Sequence, residues 1–202
     1  ELAAVLREAD RLGSHLEQIE QMVLVQPPPG CPVRVKPFYI DRHEVTVGAY
    51  EAWLGQLRRQ GRAAEARSRT PHCWNWKAQP GRLDPADPQA YRAYQANYGL
   101  RGRPADWETV RASPVVGVSH EDAAAYARAH GKRLPTLAEW QALAWMLDES
   151  LKPDALKEQD CNVNNPAHRP EVLVAPVNVP LKDTWNAVAG IAGNVREWCA
   201  AP

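Results

Sequence analysis

Pro114-Val-Val-Gly117-Val-Ser119-His-Glu-Asp122-Ala-Ala-Ala-Tyr126, running on to Gly131-Lys-Arg133-Leu-Pro135-Thr136-Leu-Ala-Glu139-Trp140, decides the reading of this chain. A short β run turns into a helix at Ser119, that helix stops at Gly131, and a second helix starts at Thr136. Ser119 with Asp122, and Thr136 with Glu139, fit the S/T-x-x-E/D spacing in which a hydroxyl takes an orphan amide and the acid reaches back. Two such boxes around one short link fix an angular helix pair. Trp140, on a helix with Leu143 and Ala144, is expected to be largely buried where the helices meet, with Arg133 and Glu139 structural.

Two further stretches extend the pattern. Phe38-Tyr-Ile-Asp41-Arg-His-Glu44-Val45-Thr46 reads as a strand leading into a helix through Tyr50 and Trp53, and Gly193-Asn194-Val195-Arg196-Glu197-Trp198 follows near the end. Together the three blocks resemble the formylglycine-generating-enzyme/sulfatase-modifying domain, a branch of the C-type-lectin fold. The last block is similar to that family's GNVWEW box, with Arg196 where Trp is usual. The resemblance implies an α+β fold with much irregular structure and short, mostly antiparallel strands. Its helices are expected near 47–60, 120–130 and 137–149.

Working outward, Leu2, Val5, Ala9, Leu12, Leu16, Ile19 and Val23 fall three and four apart, so residues 1–25 read as an amphipathic, coiled-coil-like helix. That stripe either packs on the flank of the domain or supports self-association through residues 2–23. Gln26-Pro-Pro-Pro29-Gly30 ends it, because prolines remove donors and force extended backbone. Residues 26–202 then form the main domain. Val33, Val35, Phe38 and Ile40 read as strand, and Tyr50, Trp53, Leu54 and Leu57 share one face of the following helix.

Residues 58–113 are the least regular part, an insertion-like region rich in Arg and aromatic residues. Trp74, Trp76 and Trp107 there, with Trp185 further on, are candidate ligand-binding rings, since aromatics interleaved with Arg make stacking platforms. Burial in the core is the plainer alternative for each. Beyond residue 151 the chain turns Pro- and Asn-rich, with Val172-Leu-Val174 and Val177-Asn-Val179 as short strands.

Composition excludes several classes. The 202 residues are 45% hydrophobic, enough for one sizeable core. Lys plus Arg and Asp plus Glu are 24 each, so no general field draws the molecule to nucleic acid or anionic membrane. No apolar run approaches the ~20 residues needed to span a bilayer. Neither a cytoplasmic nor a surface-exposed location is singled out. Cys31, Cys73, Cys161 and Cys199 are widely spaced without C-x-x-C, which removes zinc-ribbon and thioredoxin readings. They read as free thiols, although two disulfides are arithmetically open.

The resemblance also supplies chemistry. It implies Ca²⁺ in the irregular segments, one ion at Asn162 and Val163 and a second at Gly193, Val195 and Glu197, using oxygen ligands as a hard cation requires. The second site is expected empty, because Gly190 stands where an acid or amide should lead it. Enzymes of the family hold copper(I) on a cysteine pair and oxidise a substrate cysteine, and thiolates suit that soft ion. None of the four cysteines matches those positions, so copper is not expected. Framework without catalytic pieces, with departures at His120, Gly190 and Arg196, fits a non-catalytic ligand-binding display domain for a macromolecule or glycan, such as a retroelement-diversified variable protein. The alternatives are a truncated copper-dependent formylglycine-generating enzyme and the sensor domain of a signalling protein.

Overall fold

The computed structural model describes residues 21–71, 74, 99–100, 103–104, 107–150, 177 and 184–200. Their order is β1 (Met22–Val25), β2 (Phe38–Asp41), α1 (Val47–Arg59), α2 (Ala63–Ser68), β3 (Gly99–Leu100), β4 (Arg103–Pro104), α3 (Trp107–Ala112), α4 (His120–Ala129) and α5 (Leu137–Ser150). Helices and small antiparallel ribbons are mixed, as the α+β reading requires. β1 pairs with β2 in a register that sets Val23 against Ile40 and Val25 against Phe38. The helices expected near 47–60, 120–130 and 137–149 are present.

One boundary is corrected. Residues 22–25 are strand, not the end of a helix running to residue 25. Val23 and Val25 alternate inward with Leu24 outward, the period of two that a half-buried strand needs. The apolar spacing that made Val23 look helical serves a strand equally well over so short a run. The rest of the stripe, Leu2 to Ile19, lies outside the described residues. Val33 and Val35 do not extend β2, which begins at Phe38. Two short helices, α2 and α3, occupy parts of the 58–113 region read as irregular.

Two apolar clusters form the core. In the first, Tyr50, Trp53, Leu54 and Leu57 of α1 pack with Ala66, Trp74 and Val110. Thr46 caps α1 by accepting from the Ala49 amide, and burying each large side chain of its inner face is worth about 1.5–3 kcal/mol. The Tyr50 ring is the hub, edge-on to Trp53 at 5.2 Å and stacked on Tyr126 of α4 at 5.5 Å. Its hydroxyl donates to the Arg69 carbonyl at 2.9 Å. The second cluster joins Val23, Val25 and Phe38 to Leu143, Met146 and Leu147 of α5 and to Val188 and Ile191.

The helix pair forms as its caps suggest, with one difference. At α5 the box is reciprocal: the Glu139 amide donates to Thr136 Oγ1 and the Thr136 amide donates to Glu139 Oε2. At α4 the Ser119 hydroxyl accepts from the Asp122 amide, but the Asp122 carboxylate does not reach back to the Ser119 amide. It accepts the Ser119 hydroxyl at 2.6 Å and the Arg69 guanidinium at 3.1 Å instead. Asp122 thus fastens α4 to the end of α2. Gly131 follows at φ +67°, the left-handed position that closes α4.

Candidate functional site

A cleft of about 760 Å³ opens between β2, α4, the 131–135 link and the loop 188–198. Its walls follow from the fold. β2 is held by β1 along one edge only, since the described sheet has two strands, and Tyr39 projects from it half exposed. Opposite, Ala200 donates to the Pro135 carbonyl at 2.7 Å and bridges in parallel to Thr136. This lays the 198–200 segment along the link.

Charged groups in these walls are mostly committed to one another. Lys132 Nζ donates to Asp41 Oδ1 at 2.6 Å. Arg133 grips Glu139 with both terminal nitrogens, at 2.7 and 2.6 Å. That guanidinium, helped by the Thr136 amide, holds the buried Glu139 carboxyl down to about 2. Tyr126 reaches the cleft from α4, and burial, reinforced by Asp41, pushes its hydroxyl up to about 12. It therefore stays a neutral donor across the physiological range.

The loop 184–200 is shaped by left-handed residues. Trp185 and Val188 exchange backbone hydrogen bonds around Asn186 and Ala187, both at positive φ, the geometry of a two-residue primed turn. Ala189 then donates to the Arg42 carbonyl at 2.9 Å, tying the loop to the segment between β2 and α1. Gly190 sits at φ +74°, and a Cβ there would lie 2.4 Å from Glu44 Oε1. The Glu44 carboxylate occupies that space and accepts from the buried Asn194 amide at 3.0 Å. Trp198 is fixed by donating its indole N–H to the Val118 carbonyl at 3.0 Å and by an edge-on contact with His120 at 5.7 Å. His120 in turn bonds the Cys199 carbonyl at 3.0 Å.

The candidate residues separate on this frame. Trp74 is corrected: at 2% exposed it belongs to the first core cluster and offers no ring to a ligand. Its neighbours on the α1 face claim it, and alternation of Arg with aromatics could not reveal that. Trp185 is half-buried against the second cluster. Trp107 opens α3, and Trp76, Asn162 and Val163 lie outside the described residues. Trp140 is half-buried rather than largely buried, because one side of it faces the cleft. Val177, expected to start a strand, sits in a turn and donates to the Ala112 carbonyl.

Of the proposed second calcium site, Val195 packs against the first core cluster, Gly193 is half-buried and Glu197 is exposed. Nothing at Gly190 can lead it, and the Asn194 amide is turned to Glu44. Among the described residues no three His, Cys, Asp or Glu side chains converge as a metal cage. Cys31 and Cys199 are free thiols, and burial, with Glu197 nearby, pushes the Cys199 thiol up. These are two of the four cysteines, and both belong to the described residues. Cys73 and Cys161 lie outside them. The sequence reading missed Tyr39, Tyr126 and the Lys132–Asp41 pair as cleft residues, because nothing local in the chain signals that they share one space.

The mixed α+β domain, with its α4–α5 helix pair and a 184–200 segment fastened to Val118 and Pro135, is consistent with a domain of the formylglycine-generating type. The sulfatase-modifying factor enzyme 1-like domain profile matches residues 11–202, and the chain belongs to that family. It is 36% identical over 102 residues to a formylglycine-generating enzyme of Streptomyces coelicolor, covering 43% of this chain and 32% of the relative. It is 39% identical over 100 residues to a formylglycine-generating enzyme of Thermomonospora curvata, covering 43% and 33%. The matched region is about a third of the length of these relatives. No helix among the described residues is long and apolar enough to cross a membrane.

Proposed function

We propose that this chain is the peptide-receiving framework of a formylglycine-generating-type protein, holding an extended polypeptide segment in the cleft beside β2. The observation that carries this reading is the edge of β2, which has no strand partner among the described residues and lines a cleft between the exposed rings of Tyr39 and Trp198. An extended segment satisfies such an edge by adding a strand, with main-chain bonds giving affinity and side-chain pockets giving selectivity. The name of the two bacterial relatives supports a cysteine-bearing segment, the residue that formylglycine formation consumes.

A second reading keeps the binding and drops the turnover, making the chain a non-catalytic ligand-binding domain. It is supported by Gly190 and Arg196, which depart from the family pattern that the 190–198 stretch resembles. Calcium at Asn162 and Val163 belongs to both readings.

The test has two parts. Binding of a fluorescein-labelled, cysteine-containing sulfatase peptide is followed by polarisation, and the same peptide is then incubated with the protein, copper(I) and oxygen. Saturable binding supports the cleft reading, and an aldehyde in place of the cysteine selects turnover over the second reading. Absence of binding at millimolar protein refutes both.

A further inference from the structure

We infer that Arg196 is a specificity-determining residue that selects an acidic side chain in the bound segment; this rests on the peptide-receiving reading of the cleft. The carboxylates in the cleft walls are each engaged. Asp41 is held by Lys132 and Glu139 by Arg133, while Glu44 accepts from Asn194. Glu197 is likewise engaged. Lys132 and Arg133 are therefore neutralised where they stand. Arg196 is exposed, lines the same cleft, and has no hydrogen bond or ion pair among the described residues.

Its surroundings favour use as a binding group. Trp198 lies two residues on, 47% exposed yet fixed by its bond to Val118 and its contact with His120. Tyr39 is 50% exposed on β2. A preset ring beside an uncommitted guanidinium is a combination enriched at binding hot spots, and the planar fork of Arg matches a carboxylate bidentately. Neither Lys132 nor Arg133 can act so without abandoning a buried or half-buried partner. The position holds Trp in the family box that this block resembles, so Arg196 adds a charge there rather than preserving one.

The test uses a positional-scanning library of N-acetylated, C-amidated decapeptides retained on immobilised wild-type, Arg196→Gln and Arg196→Glu protein, read by mass spectrometry. Circular dichroism melts confirm that the variants fold, as expected for an exposed side chain. Wild type should enrich Asp and Glu over Asn and Gln roughly tenfold at one position, the scale of a charge-assisted hydrogen bond. Arg196→Gln should lose that preference, and Arg196→Glu should turn it toward Lys and Arg. An acidic preference that survives Arg196→Glu overturns the inference, as does retention with no acidic preference in wild type, which leaves the cleft reading standing. No retention of any peptide overturns both. A peptide-free dimer that Arg196→Glu dissociates in sedimentation velocity would assign the cleft to a second copy and also overturn it.

Discussion

Replacing Glu139 by Gln probes the corner on which both helices turn. Its carboxylate, 7% exposed, receives two bonds from Arg133 and one from the Thr136 amide. A carboxyl held at about 2 instead of 4.5 corresponds to about 3 kcal/mol at neutral pH, at about 1.4 kcal/mol per tenfold. Arg133 is 61% exposed, so solvent screening reduces this to about 2 kcal/mol. Because the folded-state value is depressed, the contribution is complete above the unfolded value near 4.5 and disappears as pH falls through about 2. Urea unfolding of wild type and Glu139→Gln should therefore differ by about 2 kcal/mol at pH 7, with roughly half of that gap gone by pH 3. The variant's own curve should be flatter between those values. An equal gap at both pH values would mean that Glu139 acts through packing, not charge, and would refute the reasoning.

Other outcomes follow from the same geometry. Gly190→Ala should cost at least 2 kcal/mol in urea unfolding, combining left-handed strain of about 1–2 kcal/mol with a clash on Glu44. Gly61→Ala, also at positive φ but with open space around it, should cost only about 1 kcal/mol, and equal losses at the two sites would remove the Glu44 contact from the account. Tyr50→Phe should lose about 1 kcal/mol, since it leaves the Arg69 carbonyl without the hydroxyl. In ultraviolet titration Tyr126 should remain un-ionised until about pH 12, and a tyrosinate signal that Tyr126→Phe removes near pH 10 would contradict its burial. Added calcium should raise the melting temperature by mass action through the proposed Asn162 and Val163 site, and a melt indifferent to calcium and chelator would argue against that ion.

Where local chemistry dictates structure, the sequence was legible. Thr46, Ser119 and Thr136 start helices because a hydroxyl followed by free amides has one good arrangement, and Tyr50, Trp53, Leu54 and Leu57 could face inward together only at helical spacing. The misses share a different cause. Val23 fits both a three-four stripe and a two-residue alternation, and only pairing with Ile40 chooses between them. Trp74 looks like a surface ring in a run of Arg and polar residues, yet its place is set by α1, some twenty residues earlier. The cleft was invisible for the same reason: Tyr39, Tyr126, Lys132 and Arg196 lie on four separate segments, and no periodicity within any one of them reports their common space. The committed charges follow suit, since Lys132 finds Asp41 across ninety residues of chain.

The backbone bonds from Val47 to Ser113 and from Val115 to Val45, with the Thr46–Pro114 bridge between them, work like a clasp at the neck of a purse. Whatever chain runs between residues 47 and 113 leaves and returns at one point beside the N-terminus of α1. The ends of that excursion are already joined, so changing its length alters closure entropy only logarithmically, by about 0.6 kcal/mol for a doubling. A change of length between Trp74 and α3 thus costs the frame that carries the cleft little in closure entropy. This fastening separates the helix corner and the 188–198 loop from changes in the length of that excursion.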